Sequence, residues 1–174
     1  MDQEFVVLVD KEDQETGIME KMEAHQKGLL HRAISVFIFN EAGEMLIQQR
    51  AATKYHSPLL WTNTCCSHPR AGESAIDAAN RRLMEEMGME CGLKLVFKFQ
   101  YRADMENGLI EHELDHIFIG YTSGKPQINR DEVNDYKYEE INVIRKNLNE
   151  TPNQYTKWFK LIFEPLMQNI ENNK

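Results

Sequence analysis

The stretch "SHPRAGESAIDAANRRLMEEMGM", residues 67–89, decides how the chain is read. Ser74 with Asp77 three positions later resembles a capping box, in which side-chain oxygens satisfy the free N–H groups of a helix start. Ile76, Ala79, Leu83 and Met87 then recur at helical spacing and trace one apolar face. Gly88 can take the left-handed conformation that ends a helix. Arg81 with Glu85, and Arg82 with Glu86, stand at i and i+4 and face the same way. Such pairs serve either as helix-surface ion pairs or as acids placed to hold a metal on a diphosphate, and the spacing admits both.

Upstream, "TNTCCSHPR" (62–70) sets Cys65 beside Cys66, with His68 two residues on. Three cysteines, an odd number, speak against a disulfide framework. In an extended segment Cys66 and His68 point one way and Cys65 the other. A nucleophile, half a metal site and a pair of small core residues all fit this pattern.

The whole chain, residues 1–174, is expected to form one domain with a sizeable core. Its net charge of −8 argues against a nucleic-acid partner, since phosphate-backbone affinity comes from clustered Lys and Arg. An anionic substrate needs only a local patch or a metal. No apolar run approaches the roughly 20 residues of a membrane span, and "MDQEFVVLVDKED" lacks a basic flank and a long apolar stretch. A cytoplasmic monomer is expected.

Runs at Phe5–Val9, Ile34–Phe39, Met45–Gln49, Lys94–Tyr101 and Leu109–Tyr121 read as strands, with a further short one within Glu132–Ile141. "NEAGE" (40–44) and "MENG" (105–108) read as hairpin turns. Thr151-Pro152 offers an N-cap and first-turn proline for a last helix with Phe159, Ile162, Phe163 and Leu166 buried, and Pro165 is expected to kink or shorten it. The pattern is α+β: a mixed sheet covered by helices.

On the strand "GLIEHELDHIF", alternation puts Glu111, Glu113 and Asp115 on one side, roughly 7 Å apart. His112, Leu114, His116 and Phe118 take the other. The acids suit a solvated face or a bound cation. The six histidines, at 25, 31, 56, 68, 112 and 116, match no zinc-finger spacing. Each suits a surface or capping place, whereas His and Glu gathered from distant segments would suit an octahedral divalent ion. Lys21, Arg50, Lys54 and Arg82 could grip phosphate oxygens.

Residues 67–89 resemble a degenerate Nudix box, the loop–helix–loop that binds Mg²⁺ on diphosphates. The usual pattern is G-x5-E-x7-R-E-U-x-E-E-x-G-U, with U a bulky apolar residue. Glu73, Arg81, Leu83, Glu85, Glu86, Gly88 and Met89 fit it; Ser67 replaces the leading glycine and Arg82 a glutamate that collects metal in the hydrolases. With "WTNTCCSHP", "FQYRA" (99–103), "EHE" (111–113) and "TPNQYTKW" (151–158), nearly the whole chain resembles the type I isopentenyl-diphosphate isomerase family.

The resemblance implies a Nudix-like sheet sandwiched by helices and a small diphosphate substrate. It implies one metal on His25, His31, His68, Glu111 and Glu113, completed by a backbone carbonyl near Cys66. Three imidazoles there favour Mn²⁺ or Zn²⁺ by ligand preference. Glu86 would help hold Mg²⁺ on the diphosphate beside Lys21, Arg50, Lys54 and Arg82. Cys66 matches the family's thiol, Glu113 and Tyr101 its opposing acid/base group, and Trp158 the aromatic beside the reacting carbon. The alternatives are a Nudix hydrolase of a nucleoside diphosphate derivative, which Arg82 disfavours, and a non-catalytic metal- or nucleotide-binding domain.

Overall fold

The computed structural model describes residues 4–173. Strand β3 (His31–Phe39) is its axis, buried on both faces and correspondingly apolar. One edge of β3 pairs in parallel with β8 (Ile110–Tyr121), from His31 opposite Glu113 to Phe39 opposite Tyr121. The other edge is shared by three antiparallel strands in turn. β1 (Phe5–Val9) meets it at His31, β6 (Cys65–Ser67) at Ile34 to Val36, and β4 (Met45–Arg50) at Ile38 and Phe39. Outward, β2 (Glu15–Glu20) pairs β1, β5 (Trp61–Thr62) and β9 (Val133–Glu139) pair β4, and β7 (Leu93–Asp104) pairs β8.

Because side chains alternate along β3, the sheet has two cores. Ile34, Val36 and Ile38 join Leu46 and Cys65 against Ala78, Ala79, Leu83 and Met87 of α2 (Ala75–Met87). Phe37, Met45, Ile47 and Ile117 meet Phe159, Ile162, Phe163 and Leu166 of α4 (Lys157–Asn172). Each fully buried large side chain contributes about 1.5–3 kcal/mol. The fold is therefore α+β, a mixed sheet between helices, as the pattern implied.

Several local expectations are corrected. Ser74 does cap α2, accepting from the Asp77 N–H at 3.2 Å, but Ile76 is 36% exposed and the buried ridge runs through Ala78 instead. The last helix begins at Lys157, capped by Thr156; Pro152–Gln154 form a separate 3-10 turn. The reason is tertiary: Tyr155 bridges Trp61, and the Thr156 N–H donates to the Trp61 carbonyl, which holds this segment extended. Pro165 lies inside a helix that continues to Asn172. Leu161, whose carbonyl loses its partner there, is 43% exposed, so water can replace that hydrogen bond.

Two helices had no sequence signal. α1 (Lys21–Lys27) is seven residues long, started by the Glu20 carboxylate accepting from the Met22 and Glu23 N–H groups and closed by Gly28 at φ 61°. A side chain at Gly28 would meet the Arg102 guanidinium at 3.0 Å. The other is α3 (Ile141–Glu150), which buries Ile144.

The β1–β2 hairpin, which leads into α1, is fixed by Asp13. Its carboxylate accepts from Arg32 Nε at 2.8 Å and Lys98 Nζ at 2.7 Å, and pairs with His116 Nε2 at 2.8 Å. Burial pushes the Asp13 pKa up, but the hydrogen bonds from Lys98 and Arg32 outweigh it and bring it down to about 2.

Candidate active site

Five separate stretches deliver the histidines and acids to one place. α1 brings His25, the first residue of β3 is His31, the chain leaving β6 brings His68, β8 carries Glu111 and Glu113, and the β4–β5 connection brings His56. The ligating atoms of His25, His31, His68 and Glu113 all lie within 4.8 Å of one another. His25 Nδ1 donates to the Lys21 carbonyl at 2.6 Å and His31 Nδ1 to the Leu29 carbonyl at 2.8 Å. Those bonds orient each ring and leave each Nε2 buried and without a hydrogen-bond partner. His68 Nε2 lies 2.9 Å, and His31 Nε2 3.6 Å, from Glu113 Oε1; His25 Nε2 lies 3.6 Å from Glu111 Oε1.

The solvated-face alternative for the acidic strand falls here, since Glu111, Glu113 and Asp115 are all buried. A buried polar atom left unpaired costs about 1–3 kcal/mol, and His25 Nε2 and His31 Nε2 are two such atoms in this group, with Glu111 Oε2 a third on the residue beside it. A divalent cation would satisfy them together. Burial, reinforced by the neighbouring His31 and Lys21, holds the His68 imidazole well below its usual pKa, in the neutral form that ligates metals. Burial alone would raise Glu113, but hydrogen bonding with His31 and from Tyr101 contributes to lowering it to about 2. Asp115 goes the other way. Burial and the charge of Glu113 raise its pKa, against the pull of the Ser35 hydroxyl, which donates to it at 2.6 Å.

Beside the cluster opens a cavity lined by Cys66, Tyr101, Glu111, Glu113 and Trp158. Cys66, opposite Ser35 in the sheet, faces it, while Cys65 packs into the α2 core. Burial pushes the Cys66 thiol up, against the pull of Arg50, so it is protonated at neutral pH. Tyr101 and Glu113 form another wall, and the buried Trp158, second residue of α4, a third.

The four expected phosphate-gripping cations also line the cavity. Lys21 Nζ donates to Glu4 at 2.7 Å and lies 4.9 Å from the Tyr55 ring centre. Arg50 donates to the Ser57 and His56 carbonyls, 3.2 Å each, with its guanidinium 5.2 Å from the Trp158 ring centre. Lys54 pairs with Glu132. Arg82 reaches Glu86 at 2.6 Å, Glu85 at 2.7 Å and Glu132 at 3.3 Å. Glu86 also accepts from Gln48 at 2.7 Å, which leaves lone pairs but no idle oxygen. Arg81 joins Glu73 at 2.7 Å and Glu85 at 3.2 Å, an ion-pair network that stays off the cavity.

Of the expected metal ligands His25, His31, His68 and Glu113 gather within 4.8 Å, whereas Glu111 stands outside that group, 3.6 Å from His25 Nε2, and Glu86 lines the cavity apart from the histidines. Residue patterns missed Gln48, Tyr55 and above all His56, whose Nε2 lies 2.9 Å from Glu111 Oε1. His56 sits in the irregular "KYHSPLLW" (54–61), where no periodicity points at it.

The NUDIX domain family matches residues 29–159. A Pectobacterium atrosepticum protein named isopentenyl-diphosphate Delta-isomerase is 56% identical over 91% of this chain and 88% of its own length. Photorhabdus laumondii isopentenyl-diphosphate Delta-isomerase 2 is 53% identical over 97% and 96%. Among solved structures, a Deinococcus radiodurans protein superposes with a TM-score of 0.78 at 14% identity, covering 93% of this chain and 98% of its own. A MutT protein of Methanosarcina mazei gives 0.66 at 18%, covering 83% and 96%. At such identities the structural likeness concerns the fold alone.

Proposed function

This chain belongs to the isopentenyl-diphosphate Delta-isomerases, enzymes carried on a NUDIX domain, and we propose that the cavity beside the histidine cluster is where it moves the double bond of a five-carbon diphosphate. The observation that carries this assignment is the meeting of a protonated, half-buried thiol, Cys66, and an ionised buried carboxylate, Glu113, on one cavity rimmed by cations.

Interconverting isopentenyl and dimethylallyl diphosphate adds a proton at one carbon and removes one two carbons away, through a tertiary carbocation that water would trap. A thiol facing a carboxylate offers one proton to give and one place to receive it. One passage leaves a thiolate facing a carboxylic acid, and the reverse reaction starts from that pattern. The Tyr101 hydroxyl, donating to Glu113 Oε2 at 2.7 Å, keeps that carboxylate oriented. Trp158 excludes water, and its indole face stabilises an adjacent cation by about 1–2 kcal/mol. Lys21, Arg50, Lys54 and Arg82 bind the diphosphate and so fix where the apolar tail lies.

His25, His31, His68, Glu111 and Glu113 are assigned to one divalent ion, Mn²⁺ or Zn²⁺ by donor type, and Glu86 to Mg²⁺ arriving with the diphosphate. When bound, such ions neutralise diphosphate charge and tune the basicity of Glu113. Arg82 argues against hydrolysis: a guanidinium tied to three glutamates stands where the hydrolases have a metal-collecting acid. We further assign the chain as one domain acting as a cytoplasmic monomer; no helix among the described residues is long and apolar enough to cross a membrane.

The test is to incubate purified protein with Mg²⁺ and Mn²⁺ and isopentenyl diphosphate. Formation of the acid-labile allylic isomer supports the assignment. Phosphate release from nucleoside diphosphate derivatives without isomer would overturn it.

A further inference from the structure

The segment between β4 and β5 is costly to build. Ser57 at φ 48° and Leu59 at φ 59° both hold the left-handed region without being glycine, at a cost of order 1–3 kcal/mol each. Arg50 pins the turn through the Ser57 and His56 carbonyls, and the Ser57 N–H donates to Glu106 at 3.2 Å. What the strained turn delivers is the buried imidazole of His56. Its ring stands edge-on to Trp158, centroids 5.7 Å apart, and its Nε2 touches Glu111 Oε1 at 2.9 Å.

Nothing in the acid/base account uses His56, yet its ring is held between two polar partners. Its two ring nitrogens have separate neighbours, Nε2 the Glu111 carboxyl at 2.9 Å and Nδ1 the Ser57 hydroxyl at 3.4 Å. Glu111 Oε1 is thereby engaged, and Oε2 stays buried without a partner. We infer that His56 is a positioning residue that turns Glu111 toward the His25/His31/His68 cluster, so that the metal site and the wall carrying Arg50 and Trp158 are set by one turn. This rests on assigning the cluster as a metal site. A hydrogen-bonded partner behind a ligating group is worth roughly 10- to 100-fold in metal affinity.

The experiment measures Mn²⁺ affinity of metal-stripped protein by paramagnetic titration, alongside thermal midpoints, for wild type, His56→Leu, His56→Gln and His25→Ala. His56→Leu should bind Mn²⁺ roughly 10- to 100-fold more weakly. His56→Gln, which can place an N–H near the Nε2 position, should recover most of that loss. If His25→Ala weakens binding while His56→Leu does not, the role of His56 is overturned and the cluster stands. If neither variant weakens it, the metal assignment itself falls. Should His56→Leu not fold, His56→Gln and wild type decide by ¹⁵N spectra of the imidazole: retention of the Nε2–H tautomer on adding Zn²⁺ supports positioning, and its replacement by direct Zn–Nε2 ligation overturns it.

Discussion

Tyr101 and Glu113 stand directly opposite each other in the β7–β8 pairing, and the Tyr101 hydroxyl closes that pair with a 2.7 Å hydrogen bond to Glu113 Oε2. The backbone register therefore fixes an acid/base pair without any loop. Burial and the Glu113 charge raise the Tyr101 pKa, so the phenol remains a donor across the working pH range.

Tyr101→Phe keeps the ring and removes only that donor. A hydrogen bond to a charged group contributes about 1.5–3 kcal/mol to stability, so the midpoint should drop by several degrees, and kcat should fall about ten- to a hundredfold because the Glu113 carboxylate loses its orienting donor. Steady-state kinetics beside a melting curve check this; a variant of wild-type kcat would remove Tyr101 from the mechanism.

The two adjacent cysteines should separate cleanly. Cys66→Ala is expected to lose nearly all turnover and keep its fold. Cys65→Ala, deep in the α2 core, should retain turnover within a few-fold and lose about 1 kcal/mol, a drop of roughly 2–4 °C in midpoint. Equal kinetic damage from both would reassign the thiol.

Metal removal should be visible as stability. A ligand at a hundred times its Kd stabilises by about 2.7 kcal/mol, so chelation should lower the midpoint by several degrees. His31→Ala should abolish that dependence. Differential scanning fluorimetry with and without chelator reads both.

Asp13 gives a pH signature away from the site. Its folded pKa, about 2, lies below the unfolded value near 4. Its stabilisation is therefore complete above pH 4 and lost as pH falls toward 2. Asp13→Asn, tolerant of the φ of 66° at this position, should be less stable at pH 7 and flatter between pH 5 and 2. Urea midpoints across that range test it, with Arg32, Lys98 and His116 facing the changed group. Parallel curves for the two proteins would mean that Asp13 does not titrate with folding.

How much of this was legible depended on the kind of signal. α2 announced itself through its cap, spacing and Gly88, and alternation put Glu111 and Glu113 on one face. Alternation could not say that this face is buried, because what buries it comes from α1 and from the strained turn at His56. α1 is too short for periodicity, and a cap plus proline at Thr151-Pro152 was overruled by the pairing of Tyr155 with Trp61. The family motifs located Cys66, Tyr101 and Trp158; local pattern had no way to find His56, Tyr55 or Gln48, whose importance comes only from what they touch.

The parallel pairing of β3 with β8 has a consequence for synthesis on the ribosome. Ser35 and Asp115, hydrogen-bonded in the finished sheet, are separated by 80 residues. At roughly 5–20 residues per second, β3 emerges about 4–16 seconds before its partner, exposing Ile34, Val36, Phe37 and Ile38 along an open edge. The carboxylates that complete the histidine cluster arrive on that same late strand. A cation caged by the full set therefore marks a chain whose sheet has closed, and its capture during translation would time that closure.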